Sequence, residues 1–281
     1  MTDQKRARLL ATLRITGLIL LTVLWLFPIV ISFATAFKTP NDFMTSRFYD
    51  LPRLNGLMEN LKTAFNRFAL MRHFGNSILY AVCGTLLCIV VSMMAAYGIA
   101  VIKPRFSFLI FILIYLGTVF PFQMYLIPLY KTFIATGLYD TRIGMILLYG
   151  TICTPFATFV YRGYFMSIPR DILEASMIDG CSAWNALPHI YLPLLKVPTA
   201  VVIVFQAMWI WNDLLFGMVL SQTPSVRPVM VSISQIAGEG GGNLPVLMSG
   251  VLVTSVPTLA LFLFLRKYFI QGTTFSVSTI K

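Results

Sequence analysis

The sequence predicts an all-α membrane protein with six transmembrane helices and a helix–Gly–helix loop between the fourth and fifth. Three observations predict it. Of 281 residues, 58% are hydrophobic and 11% charged, against roughly 25% charged in a soluble domain, and mean hydropathy is +0.82. Six charge-free windows can each supply the roughly 20 residues a helix needs to cross the hydrocarbon core. Between the fourth and fifth windows lies a long polar stretch that carries its own helix start and stop signals.

The chain begins with a tail, residues 1–14, holding Lys5, Arg6, Arg8 and Arg14. The uncharged run 15–37 that follows is longer than the apolar part of a signal peptide and lacks a small-residue cleavage site, so it is expected to remain as a membrane anchor. The other windows are 74–102, 106–130, 143–161, 197–212 and 240–265, the fifth continuing past Asp213 to about Leu220. The membrane domain is thus 15–270, followed by a tail, 271–281. Six crossings leave both termini on one side. Of the 21 Lys and Arg, twelve fall on that side and nine on the other, six of the nine within 38–73. The bias is clear in the short loops and makes the termini cytosolic. Residues 38–73 then form an outer loop, and 166–196 a cytosolic one.

A net charge of +11 would point a soluble chain toward nucleic acid. Here Lys and Arg gather at membrane borders, and no basic stripe with interleaved aromatics exists to bind nucleic acid. Cys83, Cys88, Cys153 and Cys181 form no Cys-x-x-Cys pair or zinc spacing, and three of them lie in apolar runs as small hydrophobes. In the outer loop, residues 60–68 predict an amphipathic helix lying on the membrane surface, with Leu61, Ala64, Phe65 and Phe68 on one face. That pattern serves a partner surface or an interfacial anchor equally well. Residues 238–242, four Gly and one Glu, predict a flexible outer loop.

The cytosolic loop is the most informative stretch. A helix can start at Pro169, whose fixed φ suits the first turn, with Asp171 and Glu174 near the positive helix end. Gly180 can end it in a left-handed conformation, and Ser182 can cap a second helix whose length Pro188 and Pro193 limit. Ala175, Ser176, Gly180, Ser182, Ala183 and Ala186 are all small, which lets a backbone enter another protein's groove. The loop reads as a docking element.

Charged groups in lipid are costly and usually functional, and only Asp213 qualifies. On a continuous helix, Gln206, Trp209 and Asp213 share a face. They either line a path, with Trp stacking on a sugar ring and polar groups bonding its hydroxyls, or hold helices together. A polar group buried in a bundle needs a partner in any case, which weighs toward the second reading. Gln123, between Pro121 and Pro128, stands under the same two readings, and those prolines predict a kinked or broken third span. No Gly-Lys dipeptide occurs, hence no phosphate-cradling loop; an ATPase, if one drives transport, is another chain. Asp179, Cys181 and His189 lack the cleft a catalytic trio needs, and no metal-ligand cluster appears.

Glu174-Ala175-Ser176-Met177-Ile178-Asp179-Gly180, followed by Ile190-Tyr191-Leu192-Pro193, resembles the E-A-A…G…I-x-L-P loop of ABC importer permeases. Pro121-Phe122-Gln123, Ile127-Pro128-Leu129-Tyr130, Gly137-Leu138-Tyr139-Asp140-Thr141, Ile168-Pro169 and Trp211-Asn212-Asp213 resemble the carbohydrate branch, specifically its smaller, maltose-permease-type subunit. Ser176 stands where the motif has a second Ala and is equally small; the tail 271–281 keeps part of the family's Gly-rich end. The resemblance implies a non-catalytic permease subunit in the bacterial cell (inner) membrane. It would pair with a second permease chain, with two copies of a cytosolic ATPase below and an extracytoplasmic solute-binding protein above. ATP and Mg would sit on the ATPases, and this chain would hold no cofactor. Glu174, Ala175, Ser176, Asp179, Gly180, Leu192 and Pro193 would dock in the ATPase as the coupling loop. Gln123, Gln206, Trp209, Asn212 and Asp213 would be the residues to face cargo. That cargo is a sugar or oligosaccharide, with a glycerol phosphate or polyol derivative as the alternative. A self-sufficient secondary transporter should instead show paired intramembrane ionisable groups or a repeat, which one lone Asp213 does not supply.

Overall fold

The computed structural model describes residues 3–47, 50, 56–178, 181–240 and 243–278, and among these every regular element is helical. In chain order the helices begin with α1 (Asp3–Ala36), α2 (Pro40–Thr45), α3 (Gly56–Arg67), α4 (Leu70–Tyr97) and α5 (Ser107–Val119). Then come α6 (Leu126–Ala135), α7 (Arg142–Ser167), α8 (Arg170–Ile178), α9 (Ala183–Ala186) and α10 (Leu192–Leu194). The remainder are α11 (Lys196–Asn212), α12 (Leu215–Leu220), α13 (Val229–Gly238) and α14 (Leu244–Ser278). Four stretches are long and apolar enough to cross a membrane unbroken: Leu10–Ala36, Leu70–Ile102, Arg142–Ser167 and Leu244–Arg266. The third window is a bent pair, Ser107–Val119 with Phe122–Ala135 at 92°, and the fifth forms one with the end of the preceding loop, Leu187–Leu194 with Lys196–Asn212 at 70°.

Both bends trace to proline. Phe120 precedes Pro121 and is held extended (φ −74°, ψ 128°), because the proline ring disfavours helical backbone in the residue before it. The second bend falls at Leu195 (φ −85°, ψ 12°), where Pro198 would otherwise press on the carbonyl of Leu194 four residues back. Pro188 and Pro193 do not end the winding, contrary to expectation. Each sits in the first turn of a short segment, the π-turn Leu187–Tyr191 and α10, where no N–H is required of it.

The chain divides into two compact units, one of Met1–Leu70 with Ile233–Thr254 and the other of Met71–Ser232 with Ser255–Lys281. In the first, α1 ends on carbonyls that its own turns cannot satisfy, and side chains take them. The Asn60 amide donates to the Ala36 and Lys38 carbonyls (3.0 and 2.8 Å), and the Ser249 hydroxyl donates to Ala36 (3.1 Å). This corrects the surface-helix reading of residues 60–68: Ala64 on α3 and Phe68 just past its end are buried, with Leu61 and Phe65 half-buried. Asn60 on the same face supplies the hydrogen bonds that hold α3 there. In the Gly-rich stretch Gly238 closes α13, Gly240 takes φ +92°, and Glu239 pairs with Arg67 at 2.9 Å; residues 241–242 lie outside the described residues. The sequence reading missed α13, too short to register as a span.

The second unit centres on fully buried Tyr80, Tyr97, Tyr149, Tyr161 and Phe216. Helices α4 and α7 approach closely where small residues permit it. A Cβ on Gly84 would lie 3.0 Å from the Tyr149 Cβ, and one on Gly150 would lie 2.5 Å from a Leu87 methyl.

Candidate functional site

The loop 166–196 folds largely as its capping signals direct. α8 begins just after Pro169, and the Ser182 hydroxyl accepts from the Asn185 N–H (3.3 Å) at the start of α9. Asp171, Ile172, Glu174, Ala175 and Ile178 are exposed, Ile178 by 86%, and so are Leu192 and Pro193. Ser176 lies in α8; Asp179 and Gly180, expected to form the turn, lie outside the described residues. The root of the loop is held by three rings. Tyr97 at the end of α4, Phe165 near the end of α7 and Tyr191 stand edge-on to one another, centroids 5.5–5.6 Å apart. Edge-to-face packing of this kind adds to burial, so the loop is tied to the ends of two long helices.

The expected polar face of the fifth span is divided by a break. α11 stops at Asn212, and Asp213 takes extended backbone (φ −67°, ψ 125°). Its carboxylate accepts from the Phe216 and Gly217 N–H groups (3.3 and 3.0 Å) and from the Tyr149 hydroxyl (2.9 Å). Asp213 is therefore an N-terminal cap for α12, and the continuous-helix spacing that joined it to Gln206 does not apply. Gln206 is buried on α11, whereas Gln123 is exposed on the 3-10 turn Phe122–Tyr125.

Trp209, Asn212 and Asp213 do meet. With Phe122, Met208 and Leu215 they line an open cleft of about 500 Å³. Phe122 and Phe216 flank the indole of Trp209, at 6.3 and 6.4 Å between centroids. The Asn212 amide donates to Met208 (2.8 Å) while the residue stays exposed. An aromatic face beside an amide and a capped carboxylate is chemistry suited to a polyhydroxyl ring.

Beyond α12 the chain is clamped by residues that carried no sequence signal except Asp140. Asp140, at φ +53°, accepts from the Gln222 and Thr223 N–H groups (2.8 and 3.0 Å). Arg142 donates to the Ser225 carbonyl and to Asn76, both at 3.0 Å, and Asn76 donates to the Arg227 carbonyl (2.9 Å). Tyr80 donates to the Val226 carbonyl (2.6 Å). The segment 221–229 is thus fixed to α4 and to the turn before α7.

Comparison with known proteins places this architecture. The family model described as "binding-protein-dependent transport system inner membrane component" matches residues 88–274. The chain belongs to this family. Among relatives of this inner membrane component, a probable ABC transporter permease protein of Pyrococcus horikoshii is 35% identical over 64% of this chain and 66% of its own length. The arabinooligosaccharides transport system permease protein AraQ of Bacillus subtilis (strain 168) is 28% identical over 91% of both chains. In fold the chain is similar to a chain from the crystal structure of a bacterial ABC transporter involved in the import of the acidic polysaccharide alginate. The TM-score is 0.79 at 22% identity, covering 96% of this chain and 99% of that one. Its place as a multi-pass inner membrane permease follows from family and spans together.

Proposed function

We propose that this permease component carries a sugar or oligosaccharide inward, in partnership with a second permease chain, two ATPase subunits and an extracytoplasmic binding protein. The observation that carries this reading is the full-length similarity to an arabinooligosaccharide permease; the Trp209–Asn212–Asp213 cleft supports it with suitable chemistry. Both termini and the loop 166–196 face the cytosol, and the tails 1–14 and 271–281 flank the membrane domain. Glu174, Ala175, Ser176, Asp179, Gly180, Leu192 and Pro193 seat in the ATPase, which holds ATP and Mg. This chain catalyses nothing itself.

Mechanistically, ATP-driven closure of the ATPases moves the loop. The Tyr97–Phe165–Tyr191 cluster passes that motion to α4 and α7 as rigid bodies. ATP acts by favouring one of two global states, and the bends at Phe120 and Leu195 supply the joints. The test is uptake of labelled oligosaccharide into vesicles holding the chain with the proteins that co-purify with it. Uptake that requires ATP, a second permease and the binding protein is expected. Uptake by the chain alone, driven by an ion gradient, would overturn the reading, and uptake of glycerol phosphate in place of sugar would overturn the cargo.

A further inference from the structure

Arg162 lies within the span Arg142–Ser167, where a charge needs a counter-charge or a route to water. Among the described residues no carboxylate pairs with it, and its Nε is enclosed without a hydrogen-bond partner. One face of the guanidinium is covered by Phe111 of α5, 4.1 Å from the ring centroid. A ring takes the face and leaves the N–H edge, which suits a planar or tetrahedral oxyanion.

The surroundings indicate which oxyanion. α5 and α7 run antiparallel in contact: Gly117 meets Pro155, Tyr115 meets Phe159 and Phe111 meets Arg162. The chain entering α5 carries Lys103 and Arg105, both exposed. Arg105 stands two residues before the start of α5 at Ser107, and Phe111 lies about 6 Å of helix rise beyond that start, a gap that long cationic side chains bridge. Lys103 is the left-handed cap of the π-turn Gly98–Ile102 (φ +50°), its N–H bonded to the Gly98 carbonyl at 3.0 Å, which fixes where this rim stands. Beside the cations, Phe108 and Leu109 are exposed by 66% and 54%. Three cations at a membrane border beside an apolar helix face match a headgroup with its acyl chains.

We propose that the α5–α7 seam at this border binds the phosphate of an anionic glycerophospholipid, with Arg162 holding it from within and Lys103 and Arg105 from the rim. The proposal depends on the membrane placement of the chain and not on its cargo. The full chain, purified in mild detergent, is titrated with phosphatidylglycerol and with phosphatidylcholine and read by native mass spectrometry. Wild-type protein retains phosphatidylglycerol preferentially, and Arg162→Gln weakens that retention about fivefold, as expected for one cation at a lipid surface. Arg162→Lys keeps part of it. Should Arg162→Gln fail to fold, Lys103→Gln with Arg105→Gln, both on exposed residues, carries the same expectation. Equal retention of the two lipids by wild type, or unchanged phosphatidylglycerol retention in the rim variant, overturns the proposal. So does a crosslink that seats a carboxylate of a neighbouring transport chain on Arg162 in the assembled complex.

Discussion

The Tyr149 hydroxyl donates to the Asp213 carboxylate at 2.9 Å, joining the middle of α7 to the break between α11 and α12. Tyr149 is fully buried, Asp213 nearly so. Tyr149→Phe removes one bond to a charged acceptor and leaves the two backbone N–H bonds in place. A loss of about 1.5–3 kcal/mol is expected, read as a lowered unfolding midpoint in detergent. Combined with Asp213→Asn, the two losses should sum to less than their separate values, because the residues share one interaction. Strict additivity would count against the bond.

Trp209 and Asn212 border the same cleft without capping anything outside α11. Trp209→Ala and Asn212→Ala are therefore expected to lower oligosaccharide uptake while basal ATP hydrolysis by the assembled transporter stays intact. Stacking on a ring is worth roughly 0.5–1.5 kcal/mol beyond area burial, so several-fold effects should appear. Uptake at wild-type level in both variants would return these residues to a purely structural role.

Ile178 stands 86% exposed on α8, and a partner docked on this helix would take its side chain out of water. Burying an Ile is worth about 1.5–3 kcal/mol. Ile178→Asp should therefore weaken ATPase capture by at least about tenfold, leaving membrane insertion unchanged. Pull-down of the ATPase at wild-type level would show that this face of α8 is not the one that docks.

Asp140 combines left-handed backbone with two accepted N–H bonds across to residues 222 and 223. Asn tolerates that backbone and can still accept, so Asp140→Asn should be mild. Asp140→Val strains the turn and removes both accepted bonds, whose exposed donors turn to water, at about 0.5–1.5 kcal/mol each. Hydrogen exchange should rise in residues 221–229 for the Val variant and stay near wild type for Asn.

The helix-start and cap signals of the loop were legible because they are local: Pro169 and Ser182 act within a turn of themselves. The apolar windows were legible for the same reason, since lipid imposes a length and an absence of charge on each one separately. Asp213 shows where that reasoning ends. Its spacing from Gln206 and Trp209 fits a helix, but the carboxylate finds the Phe216 and Gly217 N–H groups and ends α11 instead. Residues 60–68 fail similarly, because an amphipathic stripe does not say whether lipid or the fold covers it; Asn60, reaching the carbonyls that end α1, decides. α13 is too short to be seen as a span.

By itself the sequence determined that this is a helical membrane protein, where its long apolar stretches lie, and which loop resembles a coupling element. It could do so because burial in lipid and helix capping act on neighbouring residues. Only the tertiary structure decided that Asp213 is a cap joined to Tyr149, that three rings root the loop, and that Arg142 and Asp140 clamp the segment after α12. Those choices join groups distant in the chain, 64 residues apart for Tyr149 and Asp213, 66 for Asn76 and Arg142 and 82 for Asp140 and Gln222, and no periodicity along the chain encodes which donor will meet which acceptor.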